Sequence, residues 1–268
     1  MAGRGTFYTA TYGNFAAPFL ADIRARTYGR DIGQNGWLTV DEFLGFFDWL
    51  GLSTGSVVLD VGSGSGGPAL FMAATLGCDV TGVELNPSGV TAANEQVQQQ
   101  GLGSRARFLA ADASQPLPLH DGAFTAVVCI DAINHLRGRL QVLRDWHRLL
   151  APGGRILYTD PVVVTGLVSN EDIALRSSIG YSLFAPPGED ERLMAEAGFE
   201  MTRRADATAN IASVSRRWHA ARAEHRARLV EIEGETEFDS MQEGMSAVHR
   251  LSSERRLSRT VFVAEKRS

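Results

Sequence analysis

VLDVGSGSGGP, residues 58–68, decides the fold. The run from Val57 to Val61 is apolar except for Asp60, the mark of a parallel strand buried on both faces. The glycines that follow allow a tight turn and let a ligand approach the backbone closely. Pro68 sits where a first helical turn accepts it, and ALFMAATL carries a helix to a stop at Gly77. Strand, glycine loop and helix in that order make a cradle for a nucleotide-type cofactor, and two fingerprints fit. Gly62-x-Gly64-x-x-Gly67 is the loop that holds the pyrophosphate of a dinucleotide. Asp60-x-Gly62-x-Gly64-x-Gly66 suits a single nucleoside. The glycines alone leave both open.

Working outward, strands and helices alternate. CDVTGVE (Cys78–Glu84) reads as the second strand, and Asn86-Pro87 as the N-cap and first residue of a helix running to Gly101. Ala106–Asp112 and Phe124–Asp131 are the third and fourth strands. A helix over Leu140–Leu150 ends at the turn Pro152-Gly153-Gly154, before a fifth strand over Arg155–Pro161. A helix over Asp190–Ala197 and a strand over Phe199–Ala205 follow, and Arg256–Glu265 reads as a closing strand. The pattern predicts an α/β, doubly wound, Rossmann-like fold on a seven-stranded, mostly parallel sheet. Residues 1–50 are expected to form a helical N-terminal lid and 51–209 the cofactor-binding core. Residues 210–255 form a helical substrate-cap insertion, and 256–268 the closing strand of the core sheet.

A chain of 268 residues with 44% hydrophobic and 21% charged content can bury a large core. Its net charge of -5 argues against a general nucleic-acid binder. The arginine-rich stretch RRWHAARAEHRARL (Arg216–Leu229) reads as a solvated helix face. Cys78 and Cys129 fall in apolar runs, which suggests buried thiols in a reducing compartment. No secretory h-region is present, and no run approaches the roughly 18 apolar residues of a membrane span. A cytoplasmic protein is expected. Lys266 is the only lysine, and arginine in its place hints at a GC-rich bacterial genome.

Three carboxylates weigh on the choice of cofactor. Asp60, buried near the end of the first strand, needs hydrogen bonds or a cation. A pyrophosphate would be a poor neighbour for it, whereas S-adenosylmethionine (SAM) carries an ammonium and a sulfonium. Glu84 ends the second strand, placed to accept ribose hydroxyls, a device both cofactor types share. Asp112 ends the third and can take an exocyclic amine, with a helix cap as its competing role.

The order LDVGSGSGG, GVE, AADASQPLPLHDGAFTAVVCIDAINHL and LLAPGGRILYTD resembles the class I SAM-dependent methyltransferases over about residues 56–161. The resemblance implies SAM as cofactor, with S-adenosylhomocysteine (SAH) as product. It places Gly62, Ser63 and Gly64 against the amino-acid part of SAM, with Asp60 and Gly66 in the same loop. Glu84 would take the ribose and Asp112 the adenine, with Leu85, Ala113 and Cys129 as neighbours of the cofactor.

CIDAINHL (Cys129–Leu136) follows the fourth strand and so faces the transferred methyl. A helix starting there would put Asp131 and His135 on one face, where the carboxylate can orient an imidazole acting as general base. A capping or core histidine is the competing reading. DAINHL resembles a segment of the phosphoethanolamine N-methyltransferases, whose aspartate and histidine form a catalytic dyad. TYGRDIGQNGWLT (Thr27–Thr39) resembles their cofactor-covering segment, with Tyr28 and Gln34 at comparable places. Similarity to ubiquinone-type C-methyltransferases and to glycine or sarcosine methyltransferases is about as good. The segment PVVVTGLVSNEDIALRSSIGYSLFAPPG after the fifth strand is more apolar than a phosphate-binding lid would be.

Trp37, Arg176, Tyr181, Phe184 and Trp218 are the expected pocket residues. No metal is expected, because hard cations need several oxygens and Pro161 follows Asp160 where a further ligand would help. The expected partner is a small-molecule substrate, with neither nucleic acid nor membrane, and a homodimer stays open. A nicotinamide-dependent oxidoreductase and a non-catalytic SAM-binding protein are the alternatives.

Overall fold

The computed structural model describes residues 6–178 and 181–267, with side chains from Tyr8 onward. The first five residues of the expected lid, Ile179 and Gly180 of the segment after the fifth strand, and Ser268 lie outside the described residues. Three helices lead in: α1 (Thr6–Gly13), α2 (Pro18–Tyr28) and α3 (Val40–Leu50). The alternating part follows as β1 (Val57–Val61), α4 (Gly67–Leu76), β2 (Asp79–Glu84), α5 (Pro87–Gln99), β3 (Ala106–Ala110) and β4 (Phe124–Cys129). Next come α6 (Arg139–Leu149), β5 (Leu150–Val164), α7 (Asn170–Arg176), α8 (Glu189–Glu196) and β6 (Phe199–Asp206). The chain ends with α9 (Thr208–Glu224), α10 (Arg226–Glu233), α11 (Glu235–Ser253) and β7 (Leu257–Lys266).

The seven strands form one sheet in the order β3-β2-β1-β4-β5-β7-β6, with β7 antiparallel to both neighbours. Strand order reverses between β1 and β4, so the crevice at their C-terminal ends is where an open α/β sheet binds ligands. Successive β1 residues feed opposite faces: Val58 joins an apolar cluster with Phe43, Leu70 and Val80, while Leu59 joins another with Trp146, Leu143 and Ile156. Asn86 caps α5 as its sequence suggests, its side chain accepting from the Ser88 amide at 2.9 Å. Pro152-Gly153-Gly154 lies inside β5 rather than ahead of it. Pairing with β4 breaks there, between Leu150 opposite Phe124 and Arg155 opposite Ala126, and Gly153 takes a φ of 70°.

A third apolar cluster lies off the sheet and joins Leu20 and Ile23 of α2 with Trp37, Trp218 of α9, and Phe238, Met241 and Met245 of α11. It sets the helices of residues 210–255 against the N-terminal segment. The arginine-rich stretch is not one solvated face. It breaks at His225 between α9 and α10, and Arg222 turns inward to pair with buried Glu233. Among the described residues, no helix is long and apolar enough to cross a membrane.

Candidate active site

The loop after β1 is tied to the neighbouring strand: the amides of Gly62 and Ser63 both donate to the Val83 carbonyl, at 2.9 and 3.1 Å. Gly62 has a φ of 75°, and a Cβ there would sit 2.5 Å from the Ala132 Cβ. Glycine is required on both counts. The Glu84 carboxylate accepts from the Gly64 amide at 2.9 Å and from the Asn86 amide at 2.8 Å. Asp60 is buried and has no hydrogen-bond or ion-pair partner among the described residues. Burial, with Glu84 nearby, raises its pKa to about 7. Such a carboxyl calls for a cationic ligand. Ser63 lines the same space, and its hydroxyl is buried without a partner, packed toward Gly82.

That space is a cavity of about 560 Å³ at the strand ends. Asp60, Gly62, Ser63 and Gly64 line it from β1, and Glu84 and Leu85 from β2. Asp112 and Ala113 close one side, and Leu85 is 67% exposed at the rim. Asp112 caps no helix; its side chain accepts from the Ser114 amide at 2.9 Å. The far end is walled by Trp37, Asp131, His135, Arg176, Tyr181 and Trp218.

Four expected site residues lie outside the cavity. Cys129 is fully buried among apolar neighbours of β4 and does not line the cavity. Gly66 serves packing: it caps α4 with a φ of 84°, and a Cβ would sit 2.8 Å from Ala93 and Phe108. Tyr28 is spent beneath the wall, its hydroxyl donating to the Gly36 carbonyl at 2.9 Å and its ring 6.1 Å from that of Trp218. Phe184 is half-buried beyond the wall, in a segment pinned where the Leu183 amide donates to the Asn134 carbonyl and the Val164 amide to Ala185. Gln34 does line the cavity, but its amide group folds its own segment, accepting from Ile32 and donating to Arg30.

Asp131 and His135 do not form a hydrogen-bonded pair, and no α-helix starts between them. Asp131 has a left-handed φ of 55°, which costs a non-glycine residue roughly 1 kcal/mol. Its partners hold it there. The Thr159 hydroxyl accepts from its amide and donates to its carboxylate, both at 2.7 Å. The Trp37 amide donates at 2.8 Å, and Nε of fully buried Arg259 at 2.6 Å. Arg259 also donates to Glu42 at 2.6 Å, and Asn210 bridges Glu42 to the Trp37 carbonyl with two 2.9 Å bonds. Trp37 is thus fixed at both backbone groups. Asp160, the carboxylate weighed above as a cation ligand, accepts from Arg139 at 2.7 Å.

His135 ends a 3₁₀ turn over Ile133–His135. Its Nδ1 lies 2.5 Å from the Tyr181 carbonyl, which can only accept, so the proton sits on Nδ1 and Nε2 carries the lone pair. Nε2 has only a 3.4 Å contact, with the Asn134 amide. Burial lowers the histidine pKa, with Arg176 acting in the same direction and the Tyr181 carbonyl against it.

The sequence reading missed Tyr8 and Tyr12 of α1, of which Tyr12 lies against Gly64 of the glycine loop, and Met241 and Met245 of α11. Each pair stands four residues apart on one helix face, a signal present in the sequence but common to ordinary cores. It also missed Arg259, legible only as a charge inside the apolar run LSRTVFVAE.

Residues 59–158 match the family model of a methyltransferase domain. The chain is 37% identical over 128 residues to methyltransferase GfsG of Streptomyces halstedii, a match covering 48% of this chain and 45% of that protein. It is 33% identical over 154 residues to 27-O-demethylrifamycin SV methyltransferase of Amycolatopsis mediterranei, covering 56% of each. The matches thus span about half the length of these relatives. The fold superimposes with a TM-score of 0.78 on Haemonchus contortus phosphoethanolamine N-methyltransferase 2, solved with phosphomonomethylethanolamine and SAH. That pair shares 19% identity, over 97% of this chain and 60% of the other. The fold expected from the sequence is the one found, and residues 59–158 match the methyltransferase domain that the sequence resembles.

Proposed function

We propose that this chain, a class I SAM-dependent methyltransferase by the domain at residues 59–158, transfers a methyl group to a small-molecule acceptor with His135 as general base. One observation carries the reading: a single cavity holds an unpaired acidic group at one end and an unprotonated imidazole nitrogen at the other.

The residues of the first end fit SAM. Asp60 suits the ammonium of its amino-acid part, Glu84 the ribose hydroxyls, and Asp112, Ala113 and Leu85 the adenine. When bound, SAM supplies a methyl group made electrophilic by its sulfonium. Everything else falls to the chain: it aligns the acceptor, excludes water and receives a proton. The Tyr181 carbonyl fixes the tautomer of His135, and the lowered pKa keeps the ring neutral near pH 7, ready to take a proton at Nε2. Asp131 is a positioning residue. It holds the Trp37 wall and does not orient the histidine. The wall residues Trp37, Trp218, Met241 and Met245 favour an acceptor with an apolar body. The Streptomyces and Amycolatopsis relatives, with the near absence of lysine, support a specialised metabolite as that acceptor.

His135→Gln is the test. Turnover should fall by about 10²–10⁴-fold, the usual worth of a general base, while SAH affinity stays within about twofold. Wild-type turnover should decline as pH falls below the usual histidine range, because protonation removes the lone pair. A variant that keeps both turnover and pH profile refutes the base.

A further inference from the structure

A general base passes through two states, and its surroundings must serve both. In neutral His135 the Tyr181 carbonyl accepts from Nδ1 at 2.5 Å, and Nε2 carries the lone pair. Once a proton arrives, Nε2 becomes a second donor and needs an acceptor, since a donor left unpaired away from water is costly. The Tyr181 carbonyl is already engaged at Nδ1. Asp131 and Asp160 favour a positive ring, but Asp131 is held by Arg259 at 2.6 Å and Asp160 by Arg139 at 2.7 Å. Arg176, at the end of α7, acts against a positive ring, and Arg137 lies over the Tyr181 ring, 4.5 Å from its centre.

Asn134, the residue before the histidine, supplies what is missing. Its side chain is fully buried, and its Nδ2 stands 3.4 Å from both His135 Nε2 and Ser182 Oγ. Its Oδ1 is buried with no hydrogen-bond partner among the described residues. Native structures pair nearly all such groups, so an orphaned carbonyl beside a base calls for a reason. The Asn134 backbone is pinned, its carbonyl accepting from the Leu183 amide at 2.8 Å, and the carboxamide turns about its own last bond. The two ends of a carboxamide are nearly alike in size, so a half-turn puts Oδ1 where Nδ2 stood. With Nδ2 toward the ring, Asn134 donates to the neutral imidazole. With Oδ1 there it accepts from the imidazolium, and the Ser182 hydroxyl, able to donate or accept, suits either orientation.

We propose that Asn134 is a positioning residue for the proton transfer, a carboxamide that donates to neutral His135 and turns over to accept from Nε2–H once the proton has arrived. This rests on the general-base reading above and adds the group that stabilises the product of that step. The bond between the proton and the acceptor's nucleophilic atom breaks, and the Nε2 lone pair forms the new N–H bond. The electron pair of the broken bond stays on the nucleophile, which takes the methyl group. Asn134 exchanges hydrogen bonds only.

The test follows the His135 ring through a pH titration by NMR in the SAH-saturated full chain, its signals assigned by their loss in His135→Gln. Asn134→Leu keeps the bulk and removes the amide, and Asn134→Ser keeps a polar group too short to reach Nε2. A hydrogen bond to a charged group is stronger than one to its neutral form, so both variants should move the midpoint down by about one pH unit. Asn134→Asp puts a carboxylate beside Nε2 and should move it up by at least as much. SAH affinity should stay within about twofold throughout. A merely structural role would not give shifts of opposite sign. An unchanged or raised midpoint in Asn134→Ser, or in Asn134→Leu where it folds, would overturn the proposal, and so would a midpoint in Asn134→Asp that fails to rise. The general-base reading fails differently, by turnover that survives in His135→Gln whatever the titration shows.

Discussion

The two ends of the cavity are built by different means. The glycine-loop end comes from β1, β2 and the turns after β2 and β3, stretches set close together by adjacent parallel strands, and its contacts are largely backbone. The histidine end is gathered from six distant parts of the chain: Tyr8, Trp37, His135, Arg176, Trp218 and Met241. Its geometry rests on buried ion pairs and a third apolar cluster rather than on strand pairing. A local motif thus defines the first end, and only tertiary packing defines the second. Substitutions at one should leave the other's function standing.

The largest expected effect is at the packed end. Arg259→Met leaves Asp131 and Glu42 buried without their cation and should cost about 3–5 kcal/mol in denaturant unfolding. In the fraction that stays folded, SAH affinity should hold within about threefold. A much larger loss would mean that the two ends are coupled. Asp60→Asn should do the reverse, weakening SAH by roughly ten- to a hundredfold in a titration while leaving Tm nearly unchanged.

The pH dependence of SAH affinity sharpens the same contrast. In the free protein Asp60 ionises at about 7, raised by burial and by Glu84, whereas a bound ammonium favours the ionised form and lowers that pKa. Affinity should therefore be full above pH 7 and fall below it by up to about tenfold per pH unit, a slope absent from Asp60→Asn. Tyr28→Phe marks the small end of the scale. It leaves the Gly36 carbonyl without its donor at a cost of about 1 kcal/mol, with SAH affinity unchanged within twofold. A large loss of affinity there would restore the cofactor contact expected from the sequence.

The same contrast explains what the sequence could tell. Asp60, Glu84 and Asp112 were legible as cavity residues because they lie at or just past the ends of strands whose apolar runs and glycine stops are written locally, and parallel strands bring their ends together. Asn86-Pro87 was legible because a cap and a first-turn proline act on neighbouring residues. Asp131 was seen but misassigned. Its spacing from His135 suited a helix, and the left-handed turn that Thr159, Trp37 and Arg259 impose comes from residues far away in sequence. Tyr28 and Phe184 were misread for a related reason: an aromatic near a pocket looks the same in sequence on either side of its wall.

The most direct test incubates purified protein with methyl-labelled SAM and a fractionated small-molecule extract, and follows where the label goes. The account predicts label in a low-molecular-weight product, formed at least a hundredfold more slowly by His135→Gln. Protein that binds SAH and transfers label to none of these fractions, or only to protein or RNA, would contradict it.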